Sequence, residues 1–388
     1  MHINIDKLKT HTFKIVFTPT LAIFLGLMSA ANLAADTIQV FACEPEWASL
    51  AEEIGGSKVK TFSATHAQQN PHFIRARPSL IAKVRKTDLI FCSGAGLEVG
   101  WLPILIQKAG ANLQPGANGY LMAGDYVQLI EQPHSHVDRS MGDIHPEGNP
   151  HVHMDPRNIL IVAKELTKRL SSLDQGSAEF YAAQFDSFSK RWSEALSGWE
   201  KEISDLAGHP IVTHHKSFSY FNKWAKLKEV GSIEPKPGLP PTIRDLNNLY
   251  KSIKDIDDLL IIRSPYDPAK GATWLGEKTS RPAIVMPYTI GGNAKVTDLF
   301  SLFDELLSPL KLYPSDCDNS SGIPFSLTTF AENGHLYKFP SVIDKKFLAQ
   351  QLVKIYSLSL ASLFLCPIVH VYVFHALIVF RHGFNSLP

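Results

Sequence analysis

The sequence has little that marks a nucleic-acid binder, a thiolate metal protein or a zinc hydrolase. Its 388 residues carry a net charge of +1, so no broad basic surface for nucleic acid is indicated. The four cysteines include no CxxC pair, which makes a thiolate zinc site improbable. The H-E-x-x-H pattern of zinc hydrolases is also missing. The unusual feature of the composition is histidine, with 16 residues.

The first 35 residues have the layout of a secretory signal peptide. Lysines precede an apolar run that ends in small residues, and the composition changes at Asp36. This layout predicts export, with cleavage near residues 34–36, and an uncleaved membrane anchor is the alternative. The segment "VFAC", which ends at Cys43, faintly resembles a lipoprotein box, although Asp36 and Gln39 interrupt the apolar run before it.

Two cysteines end strand-like segments. Cys43 closes "TIQVFAC" and Cys92 closes "DLIFC". Export would place them in an oxidising compartment, where disulfides persist. Neighbouring parallel strands would bring the two sulfur atoms close enough for a disulfide, and two buried free thiols are equally compatible with the sequence.

The chain after Asp36 alternates short apolar strands with amphipathic helices, and the alternation occurs twice. This rhythm predicts α/β lobes with parallel sheets covered by helices. Between the two series, apolar residues recur every three to five positions without a proline, which predicts one long helix. The predicted organisation is an N-terminal lobe, a linking helix and a C-terminal lobe, at residues 36–176, 177–207 and 208–310.

Histidine or aspartate follows several of the predicted strands. Ligands of parallel sheets bind beyond the carboxyl ends of the strands. A transition metal needs three or four nitrogen or oxygen ligands from distinct segments, so this coincidence favours a metal site between the lobes. Asp155, which precedes Pro156, is better explained as the N-cap of the following helix. The residues concerned are His66, His72, His151, His214, His215 and Asp267.

These segments together resemble the substrate-binding proteins of high-affinity zinc and manganese ABC transporters, the class with a linking helix. The resemblance extends from about Asp36 to Leu310 and rests on "NPHFIRARPSL", "GNPHVHMDPRN", "VTHHKSFSYF", "EPKPGLPPT" and "YDPAKGATWLGEKTSRPAIVMPYTIGG". It implies two lobes, each with a parallel four-stranded sheet flanked by helices, joined by one long rigid helix.

The resemblance also implies a ligand set. His72 matches the first ligand position, His151 the second and His215 the third, while Asp267 matches the last carboxylate. Asn70 and Asn149 stand where the family often has aspartate. Three imidazoles and one carboxylate favour Zn²⁺, with Mn²⁺ as the alternative because it prefers more oxygen ligands.

Further histidines surround the second ligand segment. Zinc-uptake members of the family carry a histidine-rich insertion here, which implies a weak metal-capturing loop over residues 134–153. A solvated loop with incidental histidines is the alternative. The candidates for such secondary binding are His134, His136, His145 and His153.

The predicted function is capture of Zn²⁺ outside the cytoplasmic membrane and delivery to an ABC-transporter permease. We expect a periplasmic monomer with no nucleic-acid partner and no enzymatic activity. The alternatives are a Mn²⁺-binding member of the same family, a metal-dependent adhesin, or a zinc hydrolase. For a hydrolase, Glu234 is the one carboxylate to consider as a general base.

The last 78 residues, 311–388, fall outside the resemblance. Residues 355–380 contain no Asp, Glu, Lys or Arg and are long enough to cross a bilayer, which suggests membrane contact. Pro367, His370 and His375 make the span imperfect. A membrane anchor, a tail produced by a frame change or truncation, and a buried helical hairpin all remain open.

Overall fold

The computed structural model describes residues 37–133, 142, 145–281 and 283–310. The predicted signal peptide, His134, His136 and the apolar segment 355–380 lie outside the described residues. Within those ranges, no helix is both long enough and apolar enough to cross a membrane.

The first lobe is built on a parallel sheet of four strands in the order β2-β1-β3-β4. Its strands are β1 (Ile38–Ala42), β2 (Val59–Ser63), β3 (Leu89–Cys92) and β4 (Tyr120–Met122). Its helices are α1 (Pro45–Gly55), α2 (Pro78–Val84), α3 (Leu102–Ile106) and α4 (Pro156–Leu173). All four residues of β3 are buried, as expected for a central strand covered by helices on both faces. The fourth strand has only three residues, too few to give a recognisable pattern in the sequence.

A disulfide joins the ends of the two central strands of this lobe. Cys43 follows β1 and Cys92 ends β3; these strands are parallel neighbours, and the two Cα atoms lie 4.8 Å apart. Both cysteines are fully buried. Because a lipid thioether would need the same sulfur atom, this structure does not agree with lipid attachment at Cys43.

The second lobe repeats the same arrangement, with a parallel sheet in the order β6-β5-β7-β8. Its strands are β5 (Pro210–Thr213), β6 (Lys228–Ser232), β7 (Leu260–Arg263) and β8 (Ala283–Val285). Its helices are α6 (Ser219–Trp224), α7 (Ile243–Ile253), α8 (Ala269–Thr279) and α9 (Leu299–Leu307). The helix α5 (Ala178–Glu202) lies between the lobes in the sequence. The predicted fold class, two parallel four-stranded sheets flanked by helices with a long helix between them, is confirmed.

The long helix α5 packs against both lobes. Its 25 residues are fewer than the roughly 30 predicted, because the chain leaves α-helical geometry for 3₁₀ turns at Gln175–Ser177 and Ser204–Leu206. Trp192 Nε1 donates to the carbonyl of Pro156 in the first lobe at 2.8 Å. Trp199 Nε1 donates to Asp304 in the second lobe, also at 2.8 Å. One apolar core therefore runs from one lobe to the other, and the described residues belong to a single compact unit.

Candidate metal centre

The first predicted ligand, His72, is fixed by the residues just before it. The loop after β2 ends in a 3₁₀ turn, Pro71–Phe73, with Asn70 as its N-cap. Asn70 Oδ1 accepts from the backbone N–H of His72 at 3.0 Å and lies 2.8 Å from His72 Nδ1. Trp101 Nε1 also donates to the carbonyl of Pro71 at 2.9 Å. These contacts hold the ring from inside the first lobe.

The second predicted ligand, His151, sits in the same local motif but has different neighbours. Asn149 Oδ1 accepts from the backbone N–H of His151 at 2.9 Å. His151 Nδ1 lies 2.7 Å from the hydroxyl of Tyr288, which follows β8 in the second lobe. Asp155 caps α4, as predicted, by accepting from the backbone N–H of Arg157 at 2.9 Å.

The third predicted ligand, His215, comes from the second lobe and follows β5. Its Nδ1 lies 2.7 Å from Glu234 Oε2, which also accepts from the backbone N–H of Gly238 at 2.8 Å. Burial opposes ionisation of Glu234, but the hydrogen bond and charge of His215 outweigh it and lower the pKa of this carboxyl. The negative charge on Glu234 then makes the His215 ring a stronger electron donor.

The three rings meet at the carboxyl ends of the strands of both lobes. The ring centroids of His72, His151 and His215 are separated by 5.4, 5.5 and 5.6 Å, nearly an equilateral triangle. One nitrogen from each ring lies within 4.8 Å of the others. Each Nδ1 faces an oxygen atom, so each Nε2 is left for a ligand in the middle. Such outer hydrogen bonds orient metal-binding histidines in many proteins.

Two of these imidazoles, those of His72 and His151, are held in the neutral form that binds a metal. Burial, followed by the charge of His215, lowers the pKa of His72 well below its usual value. Burial, followed by the charges of the neighbouring rings, has the same effect on His151. A cation would therefore meet lone pairs here rather than protons.

A fourth histidine, His145, lies beside His72 but outside the group of three whose nitrogens are all within 4.8 Å of one another. Its Nε2 lies 3.1 Å from Nε2 of His72. Burial and the charge of His215 lower the pKa of His145 to about 4. In a tetrahedral zinc site with Zn–N bonds of 2.0–2.1 Å, two ligand nitrogens are separated by roughly 3.3 Å. The observed separation is close to that value, although the sequence placed His145 only in the outer loop.

Asp267, predicted as the last ligand, lies outside the three-histidine group. It is buried at the end of β7, where its Oδ2 accepts from the backbone N–H of Ser264 at 2.7 Å. In this position it closes the turn after the strand. The group of histidine nitrogens within 4.8 Å of one another includes no oxygen from Asp267.

His153, predicted as a loop histidine, is instead fully buried behind the centre. Its Nε2 lies 2.9 Å from the carbonyl oxygen of Tyr288, and its Nδ1 lies 3.2 Å from Glu46 Oε1. Tyr288 and Glu46 were not predicted from the sequence. No local pattern marks Tyr288, because it reaches the site only through the packing of one lobe on the other.

Two α/β lobes, a long connecting helix and buried histidines where the lobes meet define the class: a two-lobed metal-binding protein. A family model described as "Zinc-uptake complex component A periplasmic" matches residues 40–311. This is well over half of the chain, and the chain belongs to that family.

Known relatives agree with this assignment. The manganese ABC transporter substrate-binding lipoprotein PsaA of Streptococcus pneumoniae is 24% identical over 52% of this chain and 65% of its own length. The metal ABC transporter substrate-binding lipoprotein SloC of Streptococcus mutans is 27% identical over 51% of this chain and 64% of its own length. The chain thus spans slightly less than two thirds of either relative.

Solved structures share the fold. A crystal structure of ZnuA superimposes with a TM-score of 0.61, at 17% identity, over 72% of this chain and 100% of that chain. The Mn-bound periplasmic metal-binding protein from Candidatus Liberibacter asiaticus superimposes with a TM-score of 0.58, at 16% identity, over 71% of this chain and 98% of that chain.

Proposed function

We propose that this protein captures Zn²⁺ between its two lobes, outside the cytoplasmic membrane, and delivers it to an ABC-transporter permease. His72, His151 and His215 act as ligands through Nε2. The observation that carries the proposal is the orientation of these three rings. Each Nδ1 is 2.7–2.8 Å from an oxygen atom, and the opposite edges of the rings converge.

The choice of Zn²⁺ rests on the chemistry of the ligands. Neutral imidazoles suit zinc in tetrahedral sites, whereas Mn²⁺ prefers oxygen ligands and higher coordination. We propose His145 as the fourth ligand, because its Nε2 is 3.1 Å from that of His72. Asp267 remains the alternative fourth ligand, and its recruitment would require its carboxylate to leave the backbone N–H of Ser264.

Export and partnership follow from the family rather than from contacts in the fold. The named relatives are ABC-transporter substrate-binding lipoproteins, which supports a place outside the cytoplasmic membrane and a membrane permease as partner. For this chain we propose the periplasm, as in the family description. The buried disulfide fits an oxidising compartment.

A metal-binding measurement on the purified full chain tests the proposal. We expect one Zn²⁺ to bind tightly in competition with a chromophoric chelator, and Mn²⁺ to bind much more weakly. His72→Ala should weaken Zn²⁺ binding more than roughly 100-fold, beyond the range typical for outer partners of a ligand.

His66→Ala is the matched control, because His66 lies in the same loop but is exposed and outside the cluster. It should bind Zn²⁺ like the unchanged protein. Equal losses in the two variants, or tight Zn²⁺ binding that survives His72→Ala, would refute the ligand assignment. Preference for Mn²⁺ over Zn²⁺ would instead support the manganese alternative.

The hydrolase alternative depends on Glu234 as a general base. Its Oε2 accepts from both His215 and Gly238, so this oxygen is already engaged in orienting a proposed ligand. We therefore propose a positioning role for Glu234 and a binding protein rather than an enzyme.

A further inference from the structure

The proposed ligands His72, His151 and His215 differ in where their outer hydrogen-bond partners come from. His72 is paired with Asn70, and both belong to the first lobe. His215 is paired with Glu234, and both belong to the second lobe. His151 belongs to the first lobe, but the hydroxyl beside its Nδ1 comes from Tyr288 in the second. Among these three pairs, this one alone crosses between the lobes.

The crossing contact is part of a larger junction. The carbonyl oxygen of Tyr288 lies 2.9 Å from His153 Nε2 in the first lobe. The next residue, Thr289, donates its hydroxyl hydrogen to Glu46 Oε2, also in the first lobe. All five residues are buried. Two consecutive residues of the second lobe therefore contact three side chains of the first, and one of the three is a proposed ligand.

The proton positions follow from the contacts. A neutral imidazole that binds a metal through Nε2 carries its proton on Nδ1. In that form the His151 N–H faces the Tyr288 hydroxyl oxygen, 2.7 Å away, which can accept it. The second lobe therefore supplies the acceptor for the proton that remains on Nδ1 when Nε2 binds the metal.

We propose that Tyr288 is a positioning residue through which the second lobe holds His151 of the first lobe ready to bind the metal. The inference rests on the proposed function, in which His151 is a ligand. Tyr288 itself makes no contact with the metal. Because its hydrogen bond spans the junction, separating the lobes near residue 288 removes the outer partner of His151 while His72 and His215 keep theirs. Metal release is thereby coupled to the junction through His151, one of the four proposed ligands.

Tyr288→Phe in the full chain tests the inference, since it removes only the hydroxyl and keeps the ring that packs on Tyr266. We expect a 10- to 100-fold loss of Zn²⁺ affinity, the range for outer partners of metal ligands. The loss should appear mainly as faster dissociation, measured by stopped-flow transfer of Zn²⁺ to a chelator.

Tyr181→Phe is the control, because it removes another buried tyrosine hydroxyl, one that donates to Asp174 far from the centre. It should leave the dissociation rate unchanged. A long-range ¹H–¹⁵N spectrum of the metal-free protein adds a readout that loss of stability alone would not change. The ¹⁵N signal of His151 Nδ1 should shift in Tyr288→Phe, because that atom loses its hydrogen-bond partner, and should stay in place in Tyr181→Phe.

The outcomes separate the two proposals. If Tyr288→Phe changes Zn²⁺ affinity less than twofold while His72→Ala abolishes tight binding, the role of Tyr288 is refuted and the proposed function stands. If His72→Ala binds Zn²⁺ normally, the proposed function itself fails. An unchanged ¹⁵N signal of His151 Nδ1 in Tyr288→Phe also refutes the positioning role.

Discussion

The two Asn-Pro-His segments of this protein have the same sequence and share one internal hydrogen bond, yet different parts of the molecule hold them. In the segment Asn70–His72, the asparagine side chain accepts from the histidine N–H, and its other stabilising contact comes from Trp101 of the same lobe. In the segment Asn149–His151, the asparagine makes the same internal bond. The surrounding contacts of the second segment, however, come largely from the opposite lobe.

Three hydrogen bonds connect the second segment to the opposite lobe. The side-chain amide of Asn149 donates to the carbonyl of Lys216 at 2.9 Å, and Tyr220 donates its hydroxyl hydrogen to the carbonyl of Asn149 at 2.8 Å. Tyr288 adds the bond to the His151 ring. The first Asn-Pro-His segment is thus held by its own lobe, whereas the second is held by contacts from both lobes.

The largest expected effect comes from removing either ring. His151→Ala and His72→Ala should each weaken Zn²⁺ binding more than roughly 100-fold, because each removes a direct ligand. The two variants should differ in metal-free stability, since only His151→Ala loses a bond across the junction. Titration against a chelator and chemical unfolding measure these two quantities. Identical unfolding curves would contradict the distinction between the loops.

Replacing each asparagine by aspartate should change the stability of the protein by different amounts in the two segments. Asn149→Asp loses the N–H groups that bond to Lys216 and Glu131, and it places a carboxylate beside the Glu131 carboxylate. We expect it to lower the free energy of unfolding by about 1–3 kcal/mol, the cost of unpaired buried groups. Asn70→Asp keeps the oxygen that accepts from His72 and should change stability by less than about 1 kcal/mol. Urea unfolding of both variants measures this difference in stability, and equal losses of stability would contradict it.

Acid should affect both loops through the same mechanism. Burial lowers the pKa of His72 and of His151, so the folded protein keeps these rings neutral while the unfolded chain takes up protons below about pH 6.5. Stability of the metal-free protein should therefore fall as pH drops below that value, by up to about 1.4 kcal/mol per pH unit for each ring. Zn²⁺ affinity should persist to lower pH than for exposed imidazoles.

Unfolding curves of the metal-free protein between pH 7.5 and pH 5 measure this effect. His72→Phe should show a shallower pH dependence, because it removes one of the shifted groups. If the parent protein kept constant stability across that range, the rings would not be held neutral by burial.

The smallest expected effect concerns the rest of the junction. Thr289→Val removes the hydroxyl that donates to Glu46 and leaves the side chains of His151 and Tyr288 unchanged. We expect only a few-fold faster release of Zn²⁺, smaller than for Tyr288→Phe. Thr167→Val, which removes a hydroxyl bonded to Ala163 within α4, is the control and should release Zn²⁺ at the parent rate.

Much of the fold could be predicted from the sequence because strands and helices carry local patterns. The segment "PEWASLAEEIG" predicts a helix and forms one over Pro45–Gly55, and "AKGATWLGEKT" does the same over Ala269–Thr279. The three-residue strand β4 has no pattern that predicts it. The segment "AIVMPY" predicts a strand over residues 283–288, but the strand ends at Val285 and Tyr288 lies beyond it.

The candidate site was predictable only in part. Prolines before His72 and His151 marked these two rings, and strand-end position marked His215. The loop histidine His145 lies beside His72, and the predicted ligand Asp267 accepts a hydrogen bond that closes the turn after β7. Neither position follows from the local sequence, because each depends on how a loop folds in three dimensions.

The sequence by itself determined the two-lobed α/β organisation, which follows from local periodicity. The family and the three candidate histidines came from the resemblance of short motifs, in which prolines restrict the loops through neighbouring atoms. The tertiary structure alone decided which oxygen faces each ring, that His145 lies beside His72 and that Tyr288 spans the junction. Residues 151 and 288 are far apart in the chain, and only the packing of one lobe on the other brings a phenol within 2.7 Å of an imidazole.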